Sequence, residues 1–129
     1  MKILMIEDNS QNRYLATFLL EKRGHQVVQA VSGPEGIRLA AEVPPDLILL
    51  DIQLPVMDGY AVARALRQDP SLQEVPIVAV TSYAMVGDRE RVLAAGCTGY
   101  IEKPINPETF ASEIEGHLEA QSPGGGAYP

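Results

Sequence analysis

Five polar side chains of this sequence have the chemistry of a phosphoryl-transfer site with a divalent cation. They are three acids, one hydroxyl and one amine: Glu7, Asp8, Asp51, Thr81 and Lys103. Clustered carboxylates repel one another and raise one another's pKa unless a cation joins them. Oxygen ligands in small number, completed by water, suit Mg²⁺. With the ion present one carboxylate can stay ionised and attack phosphorus, while the hydroxyl and the amine stabilise the phosphoryl oxygens.

Each of these side chains follows a short apolar run that is predicted to be a strand. The acid pair follows residues 3–6, Asp51 follows residues 47–50, Thr81 follows residues 76–80, and Lys103 follows residues 98–102. Residues 26–30 form a weaker fifth run. The run before Asp51 is too short for a helix and fits a strand buried on both faces.

Helical patterns alternate with these strands. Caps, apolar spacing and stop signals predict helices over residues 10–23, 32–42, 59–67, 85–95 and from about 107 onward. Asp58 is predicted to cap the third helix. Strict alternation favours a doubly wound parallel sheet of five strands with five helices on both faces, and the size favours the strand order 2-1-3-4-5. The carboxyl ends of its strands share one edge, so the five polar side chains should meet there.

Composition limits the class of protein. The chain has 129 residues, a net charge of −7 and no basic run, which argues against binding to nucleic acid. A single cysteine, Cys97, rules out an internal disulfide and the common cysteine zinc sites, and is predicted to be a small buried residue.

No stretch suits a signal peptide or a membrane span, so we expect a cytoplasmic protein with no membrane contact. Residues 1–121 should form one domain, and residues 122–129 (SPGGGAYP) a disordered tail.

Each side chain also has a structural interpretation when it is taken alone. Glu7 and Asp8 can favour the positive end of the first helix, Thr81 can cap a helix, and Lys103 can be a surface lysine. Their joint placement at one sheet edge favours a functional site.

Two other classes of protein place related residues at the ends of parallel strands. A phosphohydrolase of the haloacid dehalogenase type needs a second acid two residues after its aspartate, where this chain has Gln53. A Rossmann or P-loop domain needs glycines after the first strand, where this chain has the sequence EDNS at residues 7–10. Neither pattern is met.

Residues 2–120 resemble the receiver domain of two-component response regulators. The resemblance rests on Glu7-Asp8, on Asp51 followed by Leu54-Pro55 and Met57-Asp58-Gly59, on Thr81-Ser82 and on Lys103-Pro104. The opening residues, with Asn9 and Asn12-Arg13, are similar to single-domain regulators of the DivK type and to receivers of hybrid kinases. A flavodoxin-like fold is implied.

The resemblance assigns roles to residues of the site. It implies that Asp51 is the phosphoacceptor in a bacterial phosphorelay, assisted by Thr81 and Lys103. Mg²⁺, or Mn²⁺ in its place, would be held by Glu7, Asp8, Asp51 and the backbone carbonyl of Gln53. The Lys103–Pro104 peptide bond would be cis.

The resemblance also implies partners and a switch. A histidine kinase or histidine phosphotransfer protein would phosphorylate the chain, Thr81 and Tyr100 would respond, and the face of the fourth helix, fifth strand and fifth helix would contact a downstream protein. The residues predicted on that face are Tyr83, Met85, Val86, Arg89 and Tyr100. Tyr100 can instead be a fixed core aromatic. The chain would be a signalling module rather than an enzyme, a monomer or weak dimer, and either a relay shuttle or an allosteric partner.

Overall fold

The computed structural model describes residues 1–82 and 87–121, with side chains described as far as residue 118. Its centre is a parallel sheet of five strands in the order β2-β1-β3-β4-β5, which confirms the predicted topology. The strands are β1 (Lys2–Ile6), β2 (Gln26–Ala30), β3 (Leu47–Asp51), β4 (Ile77–Thr81) and β5 (Gly99–Glu102). Tyr83, Met85, Val86 and the predicted tail at 122–129 lie outside the described residues, and the domain boundary at residue 121 stays a prediction.

Five α-helices alternate with the strands: α1 (Ser10–Lys22), α2 (Gly33–Glu42), α3 (Gly59–Arg67), α4 (Asp88–Ala94) and α5 (Phe110–Gln121). The side chains of Asn9, Ser32 and Asp58 cap the first three by accepting from backbone N–H groups. Asp58 is therefore a cap, as predicted. A short 3₁₀ turn, Pro70–Leu72, lies between α3 and β4.

Two helices begin later than the sequence predicts. The fourth was predicted from residue 85, but in the described part α4 begins at Asp88, after Gly87 with a φ of 98°. That left-handed backbone favours glycine and is incompatible with a continuous helix. The fifth was predicted from about residue 107, but residues 107–109 form a turn in which Thr109 and Phe110 donate their N–H groups to the carbonyl of Asn106.

The sheet separates two apolar layers, because successive residues of a strand point to opposite faces. Leu4 and Ile6 of β1 pack toward α2, α3 and α4, whereas Ile3 and Met5 pack toward α1 and α5. All five residues of β3 are buried, so the strand that ends in Asp51 is held rigidly from both sides. Cys97 is buried within the first layer, as predicted, and burial raises the pKa of its thiol to about 11.

No helix within residues 1–82 and 87–121 has both the length and the apolar character needed to cross a bilayer.

The guanidinium of Arg67 connects the C-terminal end of α3 to the loops that precede β4 and β5, at the edge of the sheet where these strands begin. It donates to the carbonyls of Gly96 at 2.9 Å, Leu72 at 2.6 Å and Val75 at 2.8 Å. We expect Arg67→Ala to lower the free energy of unfolding by about 2–4 kcal/mol, because three carbonyls lose a charged donor. Urea denaturation measures the change. Arg64→Ala, at an exposed position of the same helix, is the matched control and should change stability by less than about 0.5 kcal/mol. Equal effects of the two substitutions would contradict a clamp at Arg67.

Candidate functional site

The ends of four strands place the predicted polar side chains along one edge of the sheet. β3 lies between β1 and β4, and β4 lies between β3 and β5. In the parallel register Asp51 pairs with Val80, and Thr81 pairs with Glu102. The N–H of Lys103 donates to the carbonyl of Thr81 at 2.7 Å, which fixes the lysine beside the end of β4. The strand order therefore brings the polar residues at the ends of four strands into one cluster.

Three carboxylates form the centre of this cluster. Glu7, Asp8 and Asp51 each offer an oxygen, and these atoms lie within 4.8 Å of one another. The Glu7 and Asp51 side chains are buried, whereas Asp8 is exposed. Backbone donors orient the buried pair: the N–H of Asn9 donates to Glu7 Oε2 at 3.2 Å, and the N–H of Gln53 donates to Asp51 Oδ1 at 2.9 Å. The cluster opens to solvent on the side of Asp8.

The ammonium of Lys103 lies against the two buried acids. Its Nζ is 3.4 Å from Glu7 Oε1 and 3.3 Å from Asp51 Oδ1. One ammonium thus contacts two of the three carboxylates of the cluster. The Lys103–Pro104 peptide bond, predicted to be cis, is cis in the structure.

Burial and the neighbouring Asp51 both disfavour the ionised form of Glu7. Burial, followed by the neighbouring Asp51, raises its pKa from 4.5 to about 7, although the N–H of Asn9 and the charge of Lys103 act in the opposite direction. A carboxyl that resists ionisation at neutral pH beside two other acids needs either a proton or a further cation. The donor set, three carboxylates with one side open to water, fits a hard divalent ion.

Thr81 and Gln53 complete the site on the β4 side. Thr81 is only 4% exposed, and its Oγ1 accepts a hydrogen bond of 3.1 Å from Gln53 Nε2. The sequence had indicated only the backbone carbonyl of Gln53, as a metal ligand, and that role stays a prediction. The contact of its side chain with Thr81 was not predicted, because no sequence pattern links residues in separate loops.

The residues predicted for the switch and the partner surface are only partly described. Tyr100 lies on β5, is half-buried and packs against the core layer that contains α2, α3 and α4. Arg89 is exposed on α4. Their roles in the switch and on the partner surface stay predictions.

Comparison with known proteins agrees with the geometry. Residues 3–115 match the family model of the response regulator receiver domain. The polar-differentiation response regulator DivK of Brucella ovis is 42% identical over 116 residues, which cover 90% of this chain and 94% of the relative. The chemotaxis protein CheY4 of Vibrio cholerae superposes with a TM-score of 0.85 at 29% identity and covers 88% of this chain and 95% of its own.

A further similar structure contains a metal. The receiver domain of the sensor histidine kinase PA1611 from Pseudomonas aeruginosa has a TM-score of 0.83 at 34% identity, over 91% of this chain and 96% of its own. That protein was crystallised with a magnesium ion coordinated in its active site cleft.

Proposed function

Because this chain belongs to the response regulator receiver family, we propose that it is a phosphoacceptor switch whose Asp51 receives a phosphoryl group. Receivers are signalling modules rather than classical enzymes, and membership of this family sets aside the haloacid dehalogenase and Rossmann alternatives. The observation that carries the proposal is the position of Asp51: a buried carboxylate at a strand end, within 4.8 Å of two other acids and 3.3 Å from a lysine ammonium.

The acid cluster supports Mg²⁺, or Mn²⁺, as the cofactor. Glu7, Asp8, Asp51 and the backbone carbonyl of Gln53 would hold it, and water would complete its ligands. When bound, the ion offsets the clustered negative charge and polarises the phosphoryl oxygens. The raised pKa of Glu7, which results from burial and from the neighbouring Asp51, supports this assignment, because a nearby cation would favour the ionised carboxylate.

The transfer makes one bond and breaks one. An oxygen of the Asp51 carboxylate bonds to the phosphorus of a partner's phosphohistidine, whose other ring nitrogen carries a proton. The P–N bond breaks, its electrons stay on the ring nitrogen, and neutral imidazole leaves. Lys103 supplies a positive charge to the phosphoryl oxygens, and Thr81 donates its hydroxyl proton to one of them. The ammonium of Lys103 already lies 3.3 Å from Asp51 Oδ1, and Thr81 ends the neighbouring strand β4, so these groups are positioned before the phosphoryl group arrives.

The added phosphate charge is the signal. We expect it to draw Thr81 inward and to let Tyr100 follow, which would change the face formed by α4, β5 and α5. Arg89 and Tyr100 belong to the described part of that face, and Tyr83, Met85 and Val86 to the part outside it. A downstream protein would bind this face, or the phosphoryl group would pass on to a second histidine.

The remaining expectations concern cellular context. Resemblance to DivK and to kinase receivers supports a histidine kinase or histidine phosphotransfer protein as the donor and the cytoplasm as the location. The net charge of −7 argues against a nucleic-acid partner. We expect a monomer or a weak dimer.

Incubation with acetyl phosphate and Mg²⁺ tests the proposal. Mass spectrometry should show one phosphoryl group per chain, absent when EDTA replaces Mg²⁺, and borohydride reduction followed by peptide mapping should locate it at Asp51. An adduct on another residue, or no adduct, would overturn the assignment. Steady release of phosphate from small esters over many turnovers would favour a phosphohydrolase.

An exposed aromatic pair on α1 offers a contact for the donor protein. Tyr14 is 72% and Phe18 is 52% exposed, and their rings stack with centroids 6.4 Å apart on the helix that follows the acid pair. We expect the double substitution Tyr14→Ala and Phe18→Ala to slow phosphotransfer from a phosphohistidine protein by at least about tenfold, since exposed aromatics often dominate binding energy. The rate with acetyl phosphate, which needs no docking surface, should be unchanged.

Glu21→Ala, at another exposed position of α1, is the control for the aromatic pair. Equal slowing with the protein donor and with acetyl phosphate would show that the aromatic pair supports the fold of the site rather than docking.

A further inference from the structure

The side chain of Gln53 joins two polar groups at the end of β4. Its amide nitrogen donates to Thr81 Oγ1 at 3.1 Å, and its amide oxygen accepts from the N–H of Ser82 at 3.3 Å. A backbone N–H can only donate, so the contact with Ser82 fixes which end of the amide faces each partner. The amide is therefore held at both ends.

The backbone of the same residue is fixed to the phosphoacceptor. The N–H of Gln53 donates to Asp51 Oδ1 at 2.9 Å. On the other side of Thr81, its carbonyl accepts from the N–H of Lys103 at 2.7 Å. Gln53 thus links Asp51 to the end of β4, and that end is tied on both sides in the unphosphorylated chain.

We propose that the Gln53 side chain is a latch of the unphosphorylated state, which holds Thr81 and Ser82 in place and releases them when Asp51 carries a phosphoryl group. This inference rests on the proposed function. Phosphoryl oxygens are charged and attract O–H and N–H donors more strongly than a neutral amide oxygen does. They compete with Gln53 for the N–H of Ser82 and draw Thr81 away from Gln53 Nε2. Gln53 is therefore a positioning residue that acts through its two partners.

The surroundings allow the latch to open. A groove of about 300 Å³ lies beside Gln53 and Thr81, bordered on its other side by Tyr60 and Arg91. The released amide can turn into this groove, where water and polar side chains satisfy its donors and acceptor, so opening leaves no buried polar group unpaired. Opening costs at least the two hydrogen bonds to the Gln53 amide.

The latch should weaken the response to phosphorylation by a measurable factor. Two neutral hydrogen bonds that exist only in the resting state shift the equilibrium between the resting and the open-latch conformation toward the resting one by about tenfold. Variants without them should bind beryllofluoride, a phosphoryl mimic, about tenfold more tightly in the presence of Mg²⁺.

The experiment uses Gln53→Met, which keeps the volume of the side chain and removes both hydrogen bonds, and Gln53→Ala, which also removes the bulk. Beryllofluoride is titrated into each protein with excess Mg²⁺ and followed by amide NMR. We expect both variants to bind about tenfold more tightly than the wild type. Gln68→Ala, at an exposed glutamine of the C-cap of α3, should bind as the wild type does.

A spectroscopic measurement separates the latch from a general structural effect. In the wild-type protein, saturation with beryllofluoride should speed the exchange of the Gln53 side-chain NH₂ protons with water, because their partner is released. In Gln53→Met without beryllofluoride, the Ser82 amide resonance should shift toward its position in the bound wild type. This wild-type measurement is independent of whether any variant folds.

The outcomes distinguish the two proposals. If the wild-type protein does not bind beryllofluoride at Asp51, the phosphoacceptor function fails. If it binds, but both Gln53 variants bind with unchanged or weaker affinity and the NH₂ exchange is unaltered, the function stands and the latch is overturned.

Discussion

Asp51→Asn is expected to abolish phosphoryl incorporation from acetyl phosphate and, at the same time, to make the metal-free protein more stable. The first effect follows because an amide oxygen is not a nucleophile toward phosphorus at neutral pH. The second follows because Asp51 helps to raise the pKa of Glu7 to about 7, so the buried carboxylates destabilise each other. Removing one of these charges should raise the free energy of unfolding at pH 8 by about 1–2 kcal/mol.

The structure supplies a reason why this substitution keeps the fold. The N–H of Gln53 donates to Asp51 Oδ1 at 2.9 Å in the native chain, and the amide oxygen of the substituted side chain can still accept it. Mass spectrometry measures the phosphoryl adduct, and urea denaturation with EDTA measures the stability.

Asp58→Asn is the matched control for Asp51→Asn. Asp58 caps α3 by accepting from the N–H of Ala61 at 2.9 Å, and asparagine caps a helix equally well. This variant should accept a phosphoryl group as the wild type does. A full phosphoryl adduct on the Asp51→Asn protein would place the acceptor elsewhere, and a loss of stability without metal would contradict the repulsion between Glu7 and Asp51.

Most of the site could be predicted from the sequence, because it follows from strand endings rather than from side-chain packing. Each predicted strand ends where its apolar run meets a polar residue, and a parallel sheet brings the carboxyl ends of its strands to one edge. Asp51 and Thr81 proved to be the last residues of β3 and β4 rather than the first residues of the loops, a difference of one position. The proximity of Lys103 to Glu7 and Asp51 then depends on topology alone.

Features that depend on contacts across the chain could not be predicted. The Gln53 amide meets Thr81, 28 positions later, because β3 and β4 are neighbours in the sheet. The start of α4 depends on the left-handed backbone of Gly87, which the sequence had suggested only as part of a longer helix. The cation–π contact of Arg91 with the ring of Tyr60, 4.4 Å away, likewise joins two helices with no shared sequence pattern.

In the metal-free protein the ionised carboxylates that phosphoryl transfer needs lower the stability of the fold. A nucleophilic carboxylate has to be ionised and near a phosphoryl group, yet the charge of Asp51 disfavours the ionised form of its buried neighbour Glu7. Lys103 offsets only part of the penalty, because one ammonium faces two buried acids. A divalent cation resolves the conflict, so occupancy by metal should control both stability and reactivity.

This opposition predicts that the stability of the metal-free protein falls as the pH rises and that Mg²⁺ largely cancels the fall. Glu7 has an ordinary pKa of 4.5 in the unfolded chain and about 7 in the metal-free fold. Between these values the folded protein binds more protons than the unfolded chain, so the free energy of unfolding falls as the pH rises. The fall should be about 2–3 kcal/mol between pH 4.5 and 7 and level off above it. Glu7→Gln should remove this slope.

With Mg²⁺ this slope should largely disappear between pH 5 and pH 8, because the cation competes with the proton for the same carboxylates and binds more tightly as they ionise. A concentration one hundred times the dissociation constant should add about 2.7 kcal/mol at pH 8. Urea denaturation at pH 5, 6, 7 and 8, with EDTA or with Mg²⁺, measures both profiles. Glu21→Gln, at an exposed position of α1, is the control and should keep the wild-type slopes. A Glu7→Gln protein that retains the slope, or a wild-type protein that Mg²⁺ stabilises equally at pH 5 and pH 8, would show that Glu7 does not exchange a proton for the metal.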